Sequence, residues 1–460
     1  MAEHWAVIVV GSKGYDNYRH QADACHAYHV VRRHGIPAEN VVLMMYDDVA
    51  AAKENPFPGK LFNKPTNNVT KEAALEVYEG CHVDYRGDDV TPQMFMNVLL
   101  GDAKATKGKK VLESGPNDRV FVNFVDHGAR GFLVFPAGQM LTSSELTGTL
   151  EKMYAAKKYK ELVFYVEACH SGSMFWSWSM SHINAFVTTA ANGWESSWGT
   201  YCPPMDTVDG VALNTCLGDL YSVNWMEDSD RTDLSAETLR QQFNIIKKKT
   251  SASHVEAFGS TRMRKEIVGN FQSNYDTAVA EGEDGSMEDN DYSNDAPSPD
   301  AVLRSSSAVD VHDVKLVATF YRYLRSAPGT DRSALATQLI SEIQHREESD
   351  QLFQRIQETR HTIRTNKQQN ANGFVSPECE KRGYEIFGEA CGIPIANQSP
   401  DVLRGFSSYS LQYAGVIADL CATVDSMEQL RSVLQRVCGG GSQEAQPVLV
   451  FDPLVTTLLP

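Results

Sequence analysis

The sequence predicts an α/β fold built on a mostly parallel sheet flanked by helices, followed by an all-helical C-terminal unit. Three observations carry this expectation. Short apolar runs at 5–10, 41–46, 120–125 and 162–168 alternate with helical stretches near 19–34, 91–100 and 143–156, the order of βαβ units. From about 276 to 307 the chain turns acidic and rich in Ser, Asn and Pro, without periodicity. Beyond that segment only helical patterning returns.

The elements follow in order. HWAVIVVG opens the chain on a strand. VFVNFV and LVFYVEA are continuous apolar runs, as expected of strands buried on both faces. Each stops at a small-residue turn, HGARG after the first and CHSGS after the second. A helix over roughly 232–249 is expected after YSVNWMEDSD. Past the acidic segment, Val311–Ser326 reads as one amphipathic helix and Ser333–Arg364 as one or two more. Helices carrying Cys379, Cys391, Cys421 and Cys438 follow, and Gly439-Gly440-Gly441 opens a tail.

Composition narrows the class. At 460 residues the chain can bury a large core and hold two or more domains. No apolar run approaches the ~18–20 residues of a membrane span, so no membrane anchor is expected. Of the formal net charge of −17, −9 lies between positions 276 and 300, which hold nine acids and no base. Such a run reads as a solvated linker, and the overall sign argues against nucleic acid as a partner.

Nine cysteines is an odd number. Cys202 and Cys216 flank an irregular, proline-bearing insert and read as one bridge. The four C-terminal cysteines suggest two more. Cys25 and Cys81 stay unassigned, as free thiols or a further bridge. Bridges persist in oxidising compartments, and sequons at Asn68 and Asn397 fit that route. The expected location is vacuolar, lysosomal or secreted. The chain starts almost directly on a strand, so any secretory signal is expected to be missing from this sequence, with Met1 an added start.

Chemistry is concentrated at the two strand ends. Parallel sheets place working residues where strands give way to loops. One turn presents His127 and the other Cys169, a base and a nucleophile suited to acyl transfer. Gly128, lacking a Cβ, lets its N–H approach a developing oxyanion beside that of Cys169. A lone buried Cys or His is usually structural, but two at the rim of one sheet point to a cysteine peptidase. No cofactor or metal is called for.

The residues GSKGYDNYRHQADACHAY from Gly11, DHGARG from Asp126, EACHSGS from Glu167, ESSWGTYC from Glu195 and CLGDLYSVNWMEDSD from Cys216 resemble those of the legumains, asparaginyl endopeptidases of the caspase-like cysteine peptidase clan. The likeness runs through about residues 1–275 and returns as the four-cysteine spacing of that family's C-terminal prodomain. It implies a caspase-like catalytic domain over 1–275, an acidic flexible linker over 276–310 and activation-peptide helices over 311–345. A helical disulfide-bridged prodomain over 346–438 and a tail over 439–460 complete the chain.

By the same resemblance, Cys169 is the nucleophile, His127 the general acid/base and Asn17 its orienting partner, while Asp126 is linked to peptide ligation. The primary specificity pocket comprises Arg19, His20, Glu167, Ser196 and Asp219. An asparagine side chain needs a donor and an acceptor: Arg19 supplies the first, Glu167 and Asp219 the second. The expected partners are peptide or protein substrates with Asn, or Asp at acidic pH, at the cleaved position, and the chain's own prodomain as inhibitor. Self-cleavage at low pH is expected at Asn290, Asp291, Asn294, Asp295 or Asp300. A ligase resolving the same acyl-enzyme with a peptide amine remains an alternative, as does an inactive binding protein of the same fold. His170, where the family usually has glutamate, is expected to add positive potential beside the thiol or to point to solvent. Arg130 is expected to alter contacts on the leaving-group side.

Overall fold

The computed structural model describes residues 2–176, 181–275, 299–367, 377–391 and 405–439. Its centre is a six-stranded sheet. β1 (His4–Val10), β2 (Val41–Met44), β3 (Arg119–Val125), the short hairpin strands β4 (Gly128–Ala129), β5 (Phe132–Phe135) and β6 (Gln139–Thr142), β7 (Glu161–Glu167) and β8 (Ala185–Thr189) come first in the chain. β9 (Trp198–Thr200), β10 (Gly218–Asp219), β11 (Glu256–Gly259) and β12 (Val309–Asp310) follow. The large sheet runs β11-β8-β7-β3-β1-β2, parallel throughout except that β11 pairs antiparallel to β8. Every residue of β1, β3 and β7 is buried, which explains why these strands read as unbroken apolar runs rather than as alternation.

Helices cover both faces. α1 (Tyr18–Arg33), α4 (Leu220–Arg231) and α5 (Leu239–Lys249) contribute Ala22, Val30, Trp225 and Ile246 to a core on one face with Ala6, Ile8 and Phe121 of the strands. α2 (Pro92–Leu100) and α3 (Ser143–Ala155) cover Val7, Val9 and Val122 on the other. Trp225 packs edge-on against Phe121 and Tyr165, with ring centroids 5.7 and 5.4 Å apart, a geometry that aromatic quadrupoles favour.

One expected helix is shifted. The expected span 232–249 begins only at Leu239, because Thr238 and Gln241 close a reciprocal capping box there. YSVNWMEDSD, expected only to precede a helix, is itself helical as part of α4.

The C-terminal unit is helical: α6 (Pro299–Ser306), α7 (Val314–Arg325), α8 (Thr330–Lys367), α9 (Pro377–Ala390), α10 (Ala414–Cys421) and α11 (Met427–Gly439). Three expectations change. The end of the acidic linker is ordered as α6 and β12 rather than irregular. The helix expected from Val311 starts at Val314, because Val309 and Asp310 pair instead with Gly199 and Trp198 of β9. The boundary expected at 345/346 falls inside α8, a single helix of 38 residues. The tail 439–460 lies outside the described residues apart from Gly439.

The helical unit shares a core with the catalytic half. Ala129, Phe132, Val134 and Met140 of the β4–β6 hairpin pack with Phe353, Tyr384, Phe387 and Leu420, and Phe132 meets Tyr384 with ring centroids 4.8 Å apart. Upstream, Arg304 of α6 forms a buried ion pair with Glu227, and Arg325 of α7 reaches Asp206 in the disulfide-bounded insert at 2.8 Å.

Cys202–Cys216 and Cys391–Cys438 are bridged, and so is Cys25–Cys81, left open by the sequence. Cys421 is also disulfide-bonded, whereas the Cys379 side chain lies outside the described residues. Cys25–Cys81 ties α1 to a loop 56 residues away. Replacing both by alanine should lower stability by roughly 2–4 kcal/mol, read as an earlier midpoint in non-reducing urea unfolding.

Candidate active site

β3 and β7 are adjacent and parallel, with Val125 opposite Glu167. His127 and Cys169 each follow two residues beyond that pair, so both leave the sheet at the same carboxyl-end rim. A Cβ built on Gly128 would lie 2.6 Å from the Cys169 carbonyl oxygen and 3.0 Å from the Ala168 Cβ. Only glycine lets the residue after the histidine lie this close to the nucleophile's backbone. Cys169 is buried and is the one free cysteine among the described residues.

Asn17 sits in the 3-10 turn Tyr15–Asn17, just ahead of α1. Its amide nitrogen donates to the Lys13 carbonyl at 2.9 Å, which leaves Oδ1 to face His127 Nε2 at 2.7 Å. Nε2 must therefore carry the proton when the ring is neutral, and Nδ1 holds the lone pair. Burial, with Arg19 and His312 nearby, holds the His127 pKa well below its usual value. The imidazole is thus neutral and oriented, ready to accept a proton.

The expected specificity residues gather around Asp219. Arg19 Nε donates to Asp219 Oδ1 at 2.8 Å, and His20 Nε2 lies 3.6 Å from the other carboxylate oxygen. Arg19 therefore pairs with Asp219, not with Glu167. Glu167 Oε2 accepts from both the amide and the hydroxyl of Ser222. Burial and the neighbouring Asp219 carboxylate hold the Glu167 pKa well above the usual range, and burial raises that of Asp219. Arg19 Nη2, Glu167 Oε1 and Asp219 Oδ2 are buried without a hydrogen-bond partner in the chain. One donor and two carboxyl oxygens thus remain for a ligand, and leaving such groups unmatched is costly.

Two residues that sequence reasoning missed touch the nucleophile. The Ser197 amide points at Cys169 Sγ from 3.2 Å. His312, from the C-terminal unit, hydrogen-bonds the Cys169 sulfur. Its Nδ1 is taken by Ser196 Oγ at 3.1 Å and by Asp310 at 3.0 Å. Burial alone would lower the His312 pKa, but the Cys169 sulfur and Asp310 push it up to about 10. Ser196, expected to line the pocket, therefore contacts this inserted histidine. No sequence signal marked His312, because the segment around it was read as helix.

The approach of this segment is that of a bound strand. Val309 and Asp310 pair antiparallel with Gly199 and Trp198, and the Val311 amide donates to the Ser197 carbonyl at 3.3 Å. Arg346 of α8 holds the His312 carbonyl at 2.8 Å.

His170 corrects an expectation. It does not add positive charge: it is half-buried, its Nδ1 lies 3.3 Å from the Gly193 carbonyl, and burial and the nearby His312 lower its pKa to about 4. Asp126 is buried, 3.4 Å from His20 Nδ1. The ligand atoms of His20, Asp126 and His127 lie within 4.8 Å of one another. His20 Nδ1 and His127 Nε2, however, already engage Ser12 and Asn17. Asn290, Asp291, Asn294 and Asp295 fall outside the described residues. Asp300 lies in the first turn of α6, not in irregular chain.

Comparison with known proteins agrees with this chemistry. A profile described as the Peptidase C13 family matches residues 4–274. The chain is similar to the vacuolar-processing enzyme delta-isozyme of Arabidopsis thaliana, 35% identical over 449 residues, 94% of this chain and 90% of that one. Legumain of Homo sapiens is 36% identical over 459 residues, 95% of this chain and 93% of that one. Among solved structures, caspase-1 from Spodoptera frugiperda aligns over 56% of this chain and 87% of that one, at 10% identity and a TM-score of 0.31, too slight a likeness to carry an argument.

Asn17→Ala removes the acceptor that sets the His127 tautomer. It should lower kcat of the matured protein by about 10²-fold with little change in KM, measured on a fluorogenic peptide.

Proposed function

From the premise that the chain belongs to the peptidase C13 family, we propose that this cysteine peptidase is the zymogen of an enzyme that cleaves after asparagine, and after aspartate at acidic pH. The observation that carries the reading is the buried set of Arg19 Nη2, Glu167 Oε1 and Asp219 Oδ2 without protein partners. A carboxamide accepts at its oxygen and donates at its nitrogen, so it satisfies both kinds of group. An aspartate side chain matches the set only when it or a pocket carboxyl carries a proton, which low pH provides.

The reaction uses few groups. The Cys169 sulfur attacks the carbonyl carbon after the asparagine, passing its proton to His127. The N–H groups of Gly128 and Cys169 take up the charge on the oxygen. The C–N bond breaks as His127 returns the proton to the leaving amine, leaving a thioester. Water then attacks the thioester, His127 accepts its proton, and the C–S bond breaks to release the acid as His127 passes that proton back to the Cys169 sulfur. A peptide amine in place of water gives ligation, and product masses distinguish the two outcomes.

The C-terminal unit acts as inhibitor. Its segment Val309–Val311 lies in the cleft as a substrate strand does, and the Val311 amide donates to the Ser197 carbonyl there. His312 then covers the sulfur. Five groups with shifted pKa values lie at or beside this contact. Burial raises Glu342, but its contacts with Lys315 and Arg346 outweigh this and lower its pKa. Glu145, beside Lys381, and Asp310, beside His312, are lowered in the same way. A carboxylate depressed on docking stabilises the docked state above its free pKa and loses that effect as pH falls through the depressed value. His312 behaves oppositely: its contribution is full below its free value of 6.5 and fades only towards about 10. Burial likewise raises Asp16, so its protonation favours docking on acidification. Of the three carboxylates, Glu145 is the one whose ion pair crosses to the other half, to Lys381 at 2.8 Å, whereas Glu342 and Asp310 pair within the C-terminal unit; acid release therefore rests on Glu145. The disulfides fit a vacuolar or lysosomal setting.

The decisive experiment incubates matured protein with a peptide library at pH 4–7 and reads product ends by mass. Cleavage after asparagine near neutrality, extending to aspartate at the acidic end, is expected; cleavage indifferent to these residues would sink the reading. Arg19→Gln should cut kcat/KM on asparagine peptides by about 10² or more. Glu145→Gln should move prodomain release, followed by size exclusion after linker cleavage, to higher pH than in the wild type.

A further inference from the structure

The direction of the inserted strand defines which side of Cys169 receives the leaving group. Val309 lies opposite Gly199, Asp310 opposite Trp198, and the Val311 amide reaches Ser197. A substrate following this path advances as the facing chain is read backwards from Gly199 to Ser197. Residues beyond the scissile bond then approach Glu195, Trp194 and Gly193. The His170 amide donates to the Glu195 carbonyl at 2.9 Å, so this stretch is fastened to the nucleophile's own loop.

A cation and two indoles are assembled there. Trp194 is 68% exposed and Trp176 is 43% exposed, and their rings lie 4.9 Å apart. Trp176 packs so closely on Gly193 that a Cβ there would lie 1.8 Å from its ring. The Arg130 guanidinium lies 5.2 Å from the Trp194 ring centroid. Arg130 occupies the turn after His127 and Gly128, and the Gly131 amide there donates to Ser173 Oγ, which in turn donates to the His170 carbonyl. The carboxylate closest in sequence to Trp194, that of Glu195, is engaged by the His254 ring at 2.8 Å and by the Asn192 and His254 amides.

In the zymogen the guanidinium is occupied from the C-terminal unit. Arg130 Nη2 donates to the Gly415 carbonyl at 2.7 Å and to Asp419 Oδ1, both on α10. Asp419 is shared with Arg360, 3.5 Å away. Removal of the prodomain takes away this carboxylate but leaves Arg130 and the tryptophans, which all belong to the catalytic half.

We propose that Arg130, backed by Trp194 and Trp176, forms a leaving-group-side subsite for an acidic substrate residue, and that Asp419 fills it in the zymogen. The inference rests on the peptidase reading above and adds to it a preference beyond the cleaved residue. A planar guanidinium over an indole is suited to a carboxylate, whereas a lysine at the same substrate position meets like charge.

The test uses matured enzyme and internally quenched peptides with asparagine at the cleaved position, carrying Glu, Gln or Lys at the first or second residue after it. Within each enzyme the Glu:Lys and Glu:Gln ratios of kcat/KM are compared, so that overall losses cancel. Wild type should favour Glu over Lys by about tenfold or more at one of these positions. Arg130→Gln should bring that ratio to near one, Arg130→Lys should keep part of it, and Trp194→Ala should reduce it. A wild-type ratio near one, or a ratio unchanged in Arg130→Gln, overturns the subsite while leaving asparagine cleavage intact. Should Arg130→Gln fail to mature, the wild-type ratios and Trp194→Ala decide. Failure of wild type to cleave any of the peptides overturns the peptidase reading and the subsite together.

Discussion

The parallel pairing of β3 with β7 is the constraint on which the site depends. With Val125 opposite Glu167, one strand delivers His127 and Gly128 and the other Glu167 and Cys169 to a single rim. Both strands are fully buried, and slipping either by one residue would turn every inward side chain to the other face. The proposed base, oxyanion glycine, nucleophile and one wall of the proposed specificity pocket are thus positioned by a register that hydrophobic burial on two faces specifies. Gly128 is the point of contact, with no room for a Cβ against the Cys169 carbonyl.

Around that rim, the C-terminal unit is held by two kinds of surface. The β4–β6 hairpin gives Phe132, Val134 and Met140 to a core shared with the helical unit, an attachment that is insensitive to pH. The segment entering the cleft is instead tied to α8 by charge: Arg346 to Asp313 and Lys315 to Glu342. Apolar burial makes the docked state stable, while the Glu145–Lys381 pair across the contact makes part of that stability conditional on carboxylate ionisation. His312 has the opposite pH dependence, so the inhibitory segment and its tethers respond to acid in different senses.

Much of this was legible from residues. Strands 5–10, 120–125 and 162–168 were readable because double-sided burial demands unbroken apolar runs, and His127 and Cys169 because each ends such a run at a small-residue turn. Asn17, Arg19, His20, Glu167 and Asp219 were reached through family resemblance rather than through spacing. What failed has a common cause. Val309–Asp310 became a strand because β9 presents an edge to pair with, and Thr238 rather than residue 232 opens α5 because its side chain closes a capping box. His170 lost its expected charge because it is enclosed beside His312.

The amino-acid sequence by itself determined the α/β order, the helical character of the C-terminal half and the placing of a candidate nucleophile and base at two strand ends, since these rest on local patterning and on side-chain chemistry that needs no partner. Tertiary structure alone decided that Arg19 pairs with Asp219, that Cys25 joins Cys81, that Ser197 and His312 guard the sulfur, and that Arg130 bridges Trp194 and Asp419. Each of those is a contact between segments far apart in the chain, and the energy of such a contact exists only once the fold has brought them into one low-dielectric neighbourhood.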